Sequence, residues 1–241
     1  MNQLDVTYRA DFPGSEVCIL DVYSADSANS PVLVWFHGGG LTGGGKTEHG
    51  LGKKLAGHGI TVVAPNYRLS PAYTYPAYVE DAAAAVQWTI EHLNPSELFI
   101  GGHSAGAYLA MMVSMHPDFL DTKSKQMIRG VIPACGQTVT HYTIQAERDL
   151  PVSKMVIDHA APLHHVHEDL PPFLLIASEH DIPVRVEQNM LLNATLLERG
   201  VKSRFYLAEG CDHSNLFDQN HVGSAKTYKT IQAFIQDYSS Y

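Results

Sequence analysis

Ser104 stands between two glycines in Gly102-His103-Ser104-Ala105-Gly106, and that spacing has a chemical use. A serine on a tight strand-to-helix turn occupies strained backbone, and glycines two residues to either side let strand and helix pass closely. The hydroxyl is then pushed clear of the sheet beside a helix N-terminus, which favours developing negative charge. The neighbours fit, because Leu98-Phe99-Ile100 is an apolar strand candidate and Tyr108 to Ser114 continues as a helical pattern. A bare G-x-S-x-G also arises by chance, so the other groups needed for acyl transfer decide the matter: a base, an acid to orient it, and donors for an oxyanion.

Each has a candidate. His37-Gly38-Gly39-Gly40 follows the apolar run Val32–Phe36 and supplies glycine backbone for an oxyanion loop; Asp181 lies just past Phe173–Ala177, and His213 just past Ser203–Leu207. Asp181 and His213 are 32 residues apart, room for one helix and one strand, so both fall at strand ends on the edge that carries Ser104. Glu179 and Asp158 compete with Asp181 for the acid, but Asp181 lies further into its loop, where it can reach a histidine. Asp212, adjacent to His213, is badly placed to orient that ring.

The elements that must position these groups alternate along the chain. Continuous apolar runs such as Val32–Phe36 mark strands buried on both faces, as in a parallel sheet. Strands are expected at 17–23, 32–36, 60–64, 98–101, 127–133, 173–177 and 203–207, with helices near 47–58, 79–92, 105–114, 185–199 and 225–238. The fold class is therefore α/β, a mostly parallel doubly wound sheet flanked by helices, in one domain over 1–241. At 241 residues the chain falls in the range of single α/β domains, which run to about 250 residues. Residues 137–169 show no strand pattern and gather prolines and histidines, so they are expected to form a small lid or pocket wall over the crevice.

His37-Gly-Gly-Gly, Asn66-Tyr-Arg-Leu-Ser-Pro, Glu80-Asp81, Gly102-His-Ser-Ala-Gly, Pro162-Leu-His-His and Leu170-Pro-Pro-Phe together resemble the α/β-hydrolase esterases of the hormone-sensitive-lipase-like superfamily. His103 before the serine is similar to the branch holding feruloyl/acetyl-xylan esterases and kynurenine formamidases. The resemblance spans roughly residues 17–238 and implies an α/β-hydrolase fold and a covalent acyl-enzyme mechanism without metal or organic cofactor. By position it implies Ser104 as nucleophile, His213 as base and Asp181 as its orienting acid, with N–H groups of Gly39, Gly40 and Ala105 as the oxyanion hole and Gly38 as a substitute donor. Arg68 and Asp81 would form an ion pair beneath the site. Only 36 residues precede His37, where many members carry a long cap, so an open site for short-acyl esters is expected, with an arylformamidase as the alternative.

Other chemistry is weaker. Gly40-Leu-Thr-Gly-Gly-Gly45-Lys46-Thr47 satisfies the phosphate-loop pattern G-x-x-x-x-G-K-[ST], but no apolar strand ending in a magnesium-binding Asp follows it. His159, His164, His165 and His167 lack regular ligand spacing, and packed or solvated imidazoles are the plainer account. Tyr73, Tyr75, Tyr78, Tyr108 and Tyr142 either pack or line an aromatic subsite. With 16 Lys+Arg against 25 Asp+Glu and a net charge of -9, the chain offers no basic face for nucleic acid. No apolar run is long enough to span a bilayer. The expected partner is a small-molecule ester, with no nucleic acid, no membrane, and a homodimer left open. Cys18, Cys135 and Cys211 are scattered and odd in number, and the N-terminus shows no basic-then-apolar leader; both predict a reduced, cytoplasmic protein.

Overall fold

Strand β3 (Val32–Phe36) shows why the sheet is buried on both sides. Val32, Val34 and Phe36 enter one apolar core while Leu33 and Trp35 enter the other, so alternate side chains need hydrophobic partners on opposite faces. The computed structural model describes residues 2–10, 12–27 and 29–239. Around β3 it assembles β1 (Gln3–Thr7), β2 (Ile19–Tyr23), β4 (Thr61–Pro65), β5 (Leu98–His103), β6 (Ile128–Ala134), β7 (Phe173–His180) and β8 (Ser203–Asp212). The order is β1-β2-β4-β3-β5-β6-β7-β8. Pairings to β2 are antiparallel and the rest parallel, as a doubly wound α/β chain requires.

The helices are α1 (Leu51–Ala56), α2 (Ala77–Leu93), α3 (Ala105–Met115), α4 (Thr122–Gln126), α5 (Tyr142–Glu147), α6 (Arg185–Glu198) and α7 (Val222–Tyr238). Residues of α2, α3 and α6 fill one core, and residues of α1 and α7 fill the other. Every residue of α3 is buried, which explains its unbroken apolar sequence from Leu109 to Val113. No described helix is long and apolar enough to cross a membrane.

Three differences from the sequence expectations bear on the site. The helical stretch at 47–58 is a 3-10 turn, Glu48–Gly50, followed by α1, with Gly50 in left-handed backbone at φ 60° between them. Strand β1 was not anticipated; its residues are nearly all exposed, so no period-two burial marks it. Strands β7 and β8 run on to His180 and Asp212, past the apolar residues that define their cores, because ladder pairing carries polar positions along. His180 pairs with Asp212, which brings the next residues, Asp181 and His213, side by side.

Candidate active site

Ser104 adopts φ 55°, ψ -115°, a conformation a non-glycine residue holds only under constraint from its surroundings. The glycines supply that constraint. A Cβ at Gly106 would lie 2.0 Å from the Phe36 carbonyl oxygen, and one at Gly102 would lie 2.4 Å from Gly106 carbon. Ser104 N–H donates to Ala134 at 2.8 Å, fixing the turn to β6.

His213 bridges the serine and the acid. The Ser104 hydroxyl donates to Nε2 at 2.8 Å, and Nδ1–H donates to Asp181 Oδ1 at 2.6 Å. The carboxylate accepts only, which requires the proton on Nδ1 and leaves Nε2 as the acceptor. Asp181 Oδ1 also accepts from Ile182 N–H at 2.7 Å, and its side chain is fully buried. Burial alone would raise the Asp181 carboxyl, but the His213 hydrogen bond and the neighbouring Cys135 thiol outweigh it and hold it below its ordinary value. His103 donates from Nε2 to the His213 carbonyl at 2.9 Å, tying the end of β5 to the loop that carries the base.

The loop after β3 is shaped by what holds it. His37 is buried and stacks on Tyr67 at 4.2 Å, and Tyr67 donates to the His37 carbonyl at 2.8 Å. Burial pushes the His37 imidazole down to about 4, so it is neutral. Ser70 N–H donates to Leu41 and the Thr143 hydroxyl to Gly40, at 2.8 and 2.5 Å. Gly39 and Gly40 take φ 107° and 64°, where a side chain would be strained. Among the described residues the N–H groups of Gly39, Gly40 and Ala105 donate to no protein acceptor. Gly38 differs from the expectation of a substitute donor: its N–H is taken by Glu48 Oε2 at 2.6 Å.

Beneath this loop Asp81, fully buried, accepts from Arg68 through Nε, Nη2 and the backbone N–H at 2.7, 2.9 and 3.0 Å, and from Arg9. The ion pair expected at this position is present. An open cleft of about 360 Å³ lies over Ser104, walled by Gly39, Gly40, Glu48, Tyr142, Ile182 and His213 among others.

The competing candidates are occupied elsewhere. Glu179 accepts from Gly210 N–H at 2.8 Å, Asp158 pairs with Arg148 at 2.9 Å, and Asp212 caps Ser214 and Asn215 N–H groups. Lys46 of the phosphate-loop match is paired with Asp5 and Asp21, which leaves that loop without its phosphate cation. His165 packs on His116 at 4.3 Å and bonds the His159 carbonyl, and burial lowers it below its ordinary value. Tyr78 and Tyr108 are buried, whereas Tyr142 stands at the cleft. Sequence reasoning passed over Glu48, Ile182 and Cys135; Cys135 at φ 55° beneath the acid carries no motif, and Glu48 lies in a stretch readable only as helix.

An elbow after a central strand, with acid and histidine after the next strands, is the arrangement of the α/β hydrolases. Residues 33–151 match the family described as alpha/beta hydrolase fold, and the chain has that fold. Among similar proteins, esterase LipQ of Mycobacterium tuberculosis is 26% identical over 225 residues, covering 80% of this chain and 53% of LipQ. The chain thus spans about half the length of that relative. Kynurenine formamidase of Drosophila melanogaster is 23% identical over 233 residues, covering 89% of this chain and 77% of the formamidase. Esterase 2 of Thermogutta terrifontis, phosphonylated by sarin, superposes with a TM-score of 0.82 at 20% identity over 98% of this chain and 94% of that one, a likeness of fold.

Proposed function

We propose that the chain is a serine carboxylesterase that hydrolyses short-acyl esters through an acyl-enzyme intermediate. The observation that carries this reading is His213, hydrogen-bonded to Ser104 at 2.8 Å and to Asp181 at 2.6 Å. Ser104 Oγ attacks the ester carbonyl as its proton passes to His213 Nε2, and Asp181 stabilises the resulting imidazolium. The oxyanion forms against the N–H groups of Gly39, Gly40 and Ala105; loss of one such donor costs about a hundredfold or more in rate. His213 returns the proton to the leaving oxygen, and water repeats the sequence in reverse to free Ser104.

The size of the cleft, about 360 Å³, supports small acyl groups, with acetylated carbohydrate or small aryl esters as natural substrates. Residues 137–169 act as its wall within a single domain: Tyr142 borders the cleft and Thr143 holds Gly40. A second reading, an arylformamidase, draws on the formamidase of Drosophila, which matches over most of both chains. Triad and oxyanion donors serve both reactions, and leaving-group contacts separate them.

The test is hydrolysis of p-nitrophenyl esters from acetate to decanoate by the wild type and Ser104→Ala, with N-formylkynurenine and acetylated xylan alongside. Activity peaking at acetate or butyrate and lost in Ser104→Ala is expected. Turnover of N-formylkynurenine far above any ester selects the formamidase, and no activity on any substrate removes both readings.

A further inference from the structure

Arg185, the first residue of α6, is 5% exposed and lies at a helix N-terminus, where the dipole disfavours a cation. Nη1 donates to the Cys135 carbonyl at 2.8 Å and Nη2 to Gln137 Oε1 at 3.5 Å, both neutral oxygens. Nε is buried without an acceptor, and no carboxylate pairs with the guanidinium among the described residues. Arg68 shows the contrast, with Asp81 accepting from both Nε and Nη2. A buried charge left without a partner is destabilising, so packing does not account for Arg185.

What surrounds it gives the reason. Cys135 holds φ 55°; its N–H donates to Ile176 of β7 at 2.7 Å, and the carbonyl of Ala134 before it takes the Ser104 N–H at 2.8 Å. Arg185 N–H donates to the Ile182 carbonyl at 3.0 Å, and Ile182 N–H donates to Asp181 Oδ1 at 2.7 Å. One turn along α6, Asn189 repeats the tie, donating to the Gly136 carbonyl at 2.9 Å. The guanidinium thus joins the loop that carries the acid to the residue beside the one that fixes the nucleophile's turn. Asp181 is the charge that most opposes the effect of burial on Arg185. Cys135 and Tyr142 also face the guanidinium, as does His141, which burial holds neutral. The Asp181–His213 pair is faced by Cys135 from β6, His103 from β5 and Asp212 from the end of β8, with Glu48 and Tyr142 across the cleft. Of all these groups only Arg185 carries a permanent positive charge.

We propose that Arg185 is a positioning residue for the triad: it locks the acid's loop to the nucleophile's turn, and its charge disfavours proton uptake by the Asp181–His213 pair. This rests on the hydrolase reading above. Neither Arg185 nor Cys135 lines the cleft, so losing the lock lowers kcat with KM little changed. Losing the cation makes the pair easier to protonate, which moves the acid limb of kcat/KM to higher pH.

The experiment measures kcat and kcat/KM for p-nitrophenyl acetate against pH in the wild type, Arg185→Met and Arg185→Lys. In Arg185→Met, plateau kcat is expected to fall about tenfold with KM within about twofold, and the acid limb to rise by roughly half a pH unit or more. Arg185→Lys keeps the charge, so its acid limb is expected to stay with the wild type. An acid limb unmoved in Arg185→Met, or moved equally in Arg185→Lys, overturns the assignment while leaving the esterase reading intact. A plateau kcat in Arg185→Met equal to the wild type does the same. Should Arg185→Met not fold, Arg185→Gln, a neutral donor, is held to the same shift of the acid limb. Absence of Ser104-dependent turnover of every p-nitrophenyl ester removes the hydrolase reading, and this proposal with it.

Discussion

Replacing Asp81 with Ala deletes a buried charge and leaves its partner behind. Asp81 is fully buried and takes three hydrogen bonds from Arg68, whose side chain is only 10% exposed, together with one from the more accessible Arg9. Phe12 lies against both guanidinium groups, with centroids 4.5 and 4.7 Å from Arg9 and Arg68. Without the carboxylate, Arg9 can turn to water, but Arg68 stays dehydrated and keeps only half-exposed Glu80, 3.5 Å from Nη2, as a counter-charge. Breaking a buried pair in this way costs about 3–5 kcal/mol, which for a domain of this size lowers Tm by roughly 6–20 °C. The neighbours of Arg68 matter as well, since Tyr67 holds the His37 carbonyl and Ser70 holds Leu41, so kcat should fall along with stability. Urea unfolding followed by tryptophan fluorescence gives the loss, and ester kinetics well below Tm give the catalytic share. The double variant Arg68→Met/Asp81→Leu, with no charge left unpaired, should recover more than half of the lost stability. A loss below about 1 kcal/mol in Asp81→Ala, or a double variant less stable than the single one, would refute the argument from a buried charge that has lost its main partner.

Three further outcomes follow from the same geometry. Asp181→Asn should lower kcat by about 10³–10⁴ because His213 loses the group that fixes its tautomer, whereas Glu179→Gln should stay within about tenfold of wild type; comparable losses in both would reassign the acid. Gly106→Ala forces a methyl against the Phe36 carbonyl at 2.0 Å, so soluble protein or Ser104-dependent turnover should disappear, while Gly59→Ala, with nothing within 4 Å but φ 82°, should cost about 1 kcal/mol in denaturant titration. Burial lowers His37 from 6.5 to about 4 and His141 to about 3, so unfolded chains take up protons that the native state does not; stability should be full above about pH 6.5 and decline steadily towards pH 4. A flat denaturation midpoint over that interval would show that these imidazoles are not dehydrated.

Period and motif carried much of the architecture because buried strands must be apolar on both faces. Val32–Phe36 reads as a strand for that reason, and the elbow reads from glycines that sterics demand. Polar extensions do not read that way. Glu179 and His180 at the end of β7 and Glu209, Gly210 and Asp212 at the end of β8 are exposed, and the two ends take their strand geometry from each other, so their pairing is a tertiary fact. The choice of Asp181 over Glu179 rested on loop position, and the structure gives the physical reason: Glu179 points into the ladder end and holds Gly210, one residue short of the bridge. The roles of Gly38 and Glu48 were illegible for a related cause. Three consecutive glycines have identical chemistry, and only the position of an acid ten residues on determines which N–H is withdrawn.

The strained parts of the site and its buried polar network are two sides of one arrangement. Ser104 holds a backbone conformation that would relax if unsupported, Gly39 and Gly40 hold ones open to glycine alone, and each is gripped by a hydrogen bond at its own amide or next to it. Ala134 takes the Ser104 N–H, Glu48 takes the Gly38 N–H, Thr143 holds the Gly40 carbonyl and Tyr67 the His37 carbonyl. Those grips leave the N–H groups of Gly39, Gly40 and Ala105 without a protein acceptor among the described residues. Preorganised donors of this kind stabilise an oxyanion without reorganising during the reaction, and the cost is met by neighbours that chemistry does not touch. It follows that Tyr67→Phe, which keeps the stacked ring and removes one grip, should lower kcat with little change in KM, because the loop binds the transition state more than the ester. An equal rise in KM with kcat unchanged would place the loop in ground-state binding instead and undo the link between its backbone geometry and catalysis.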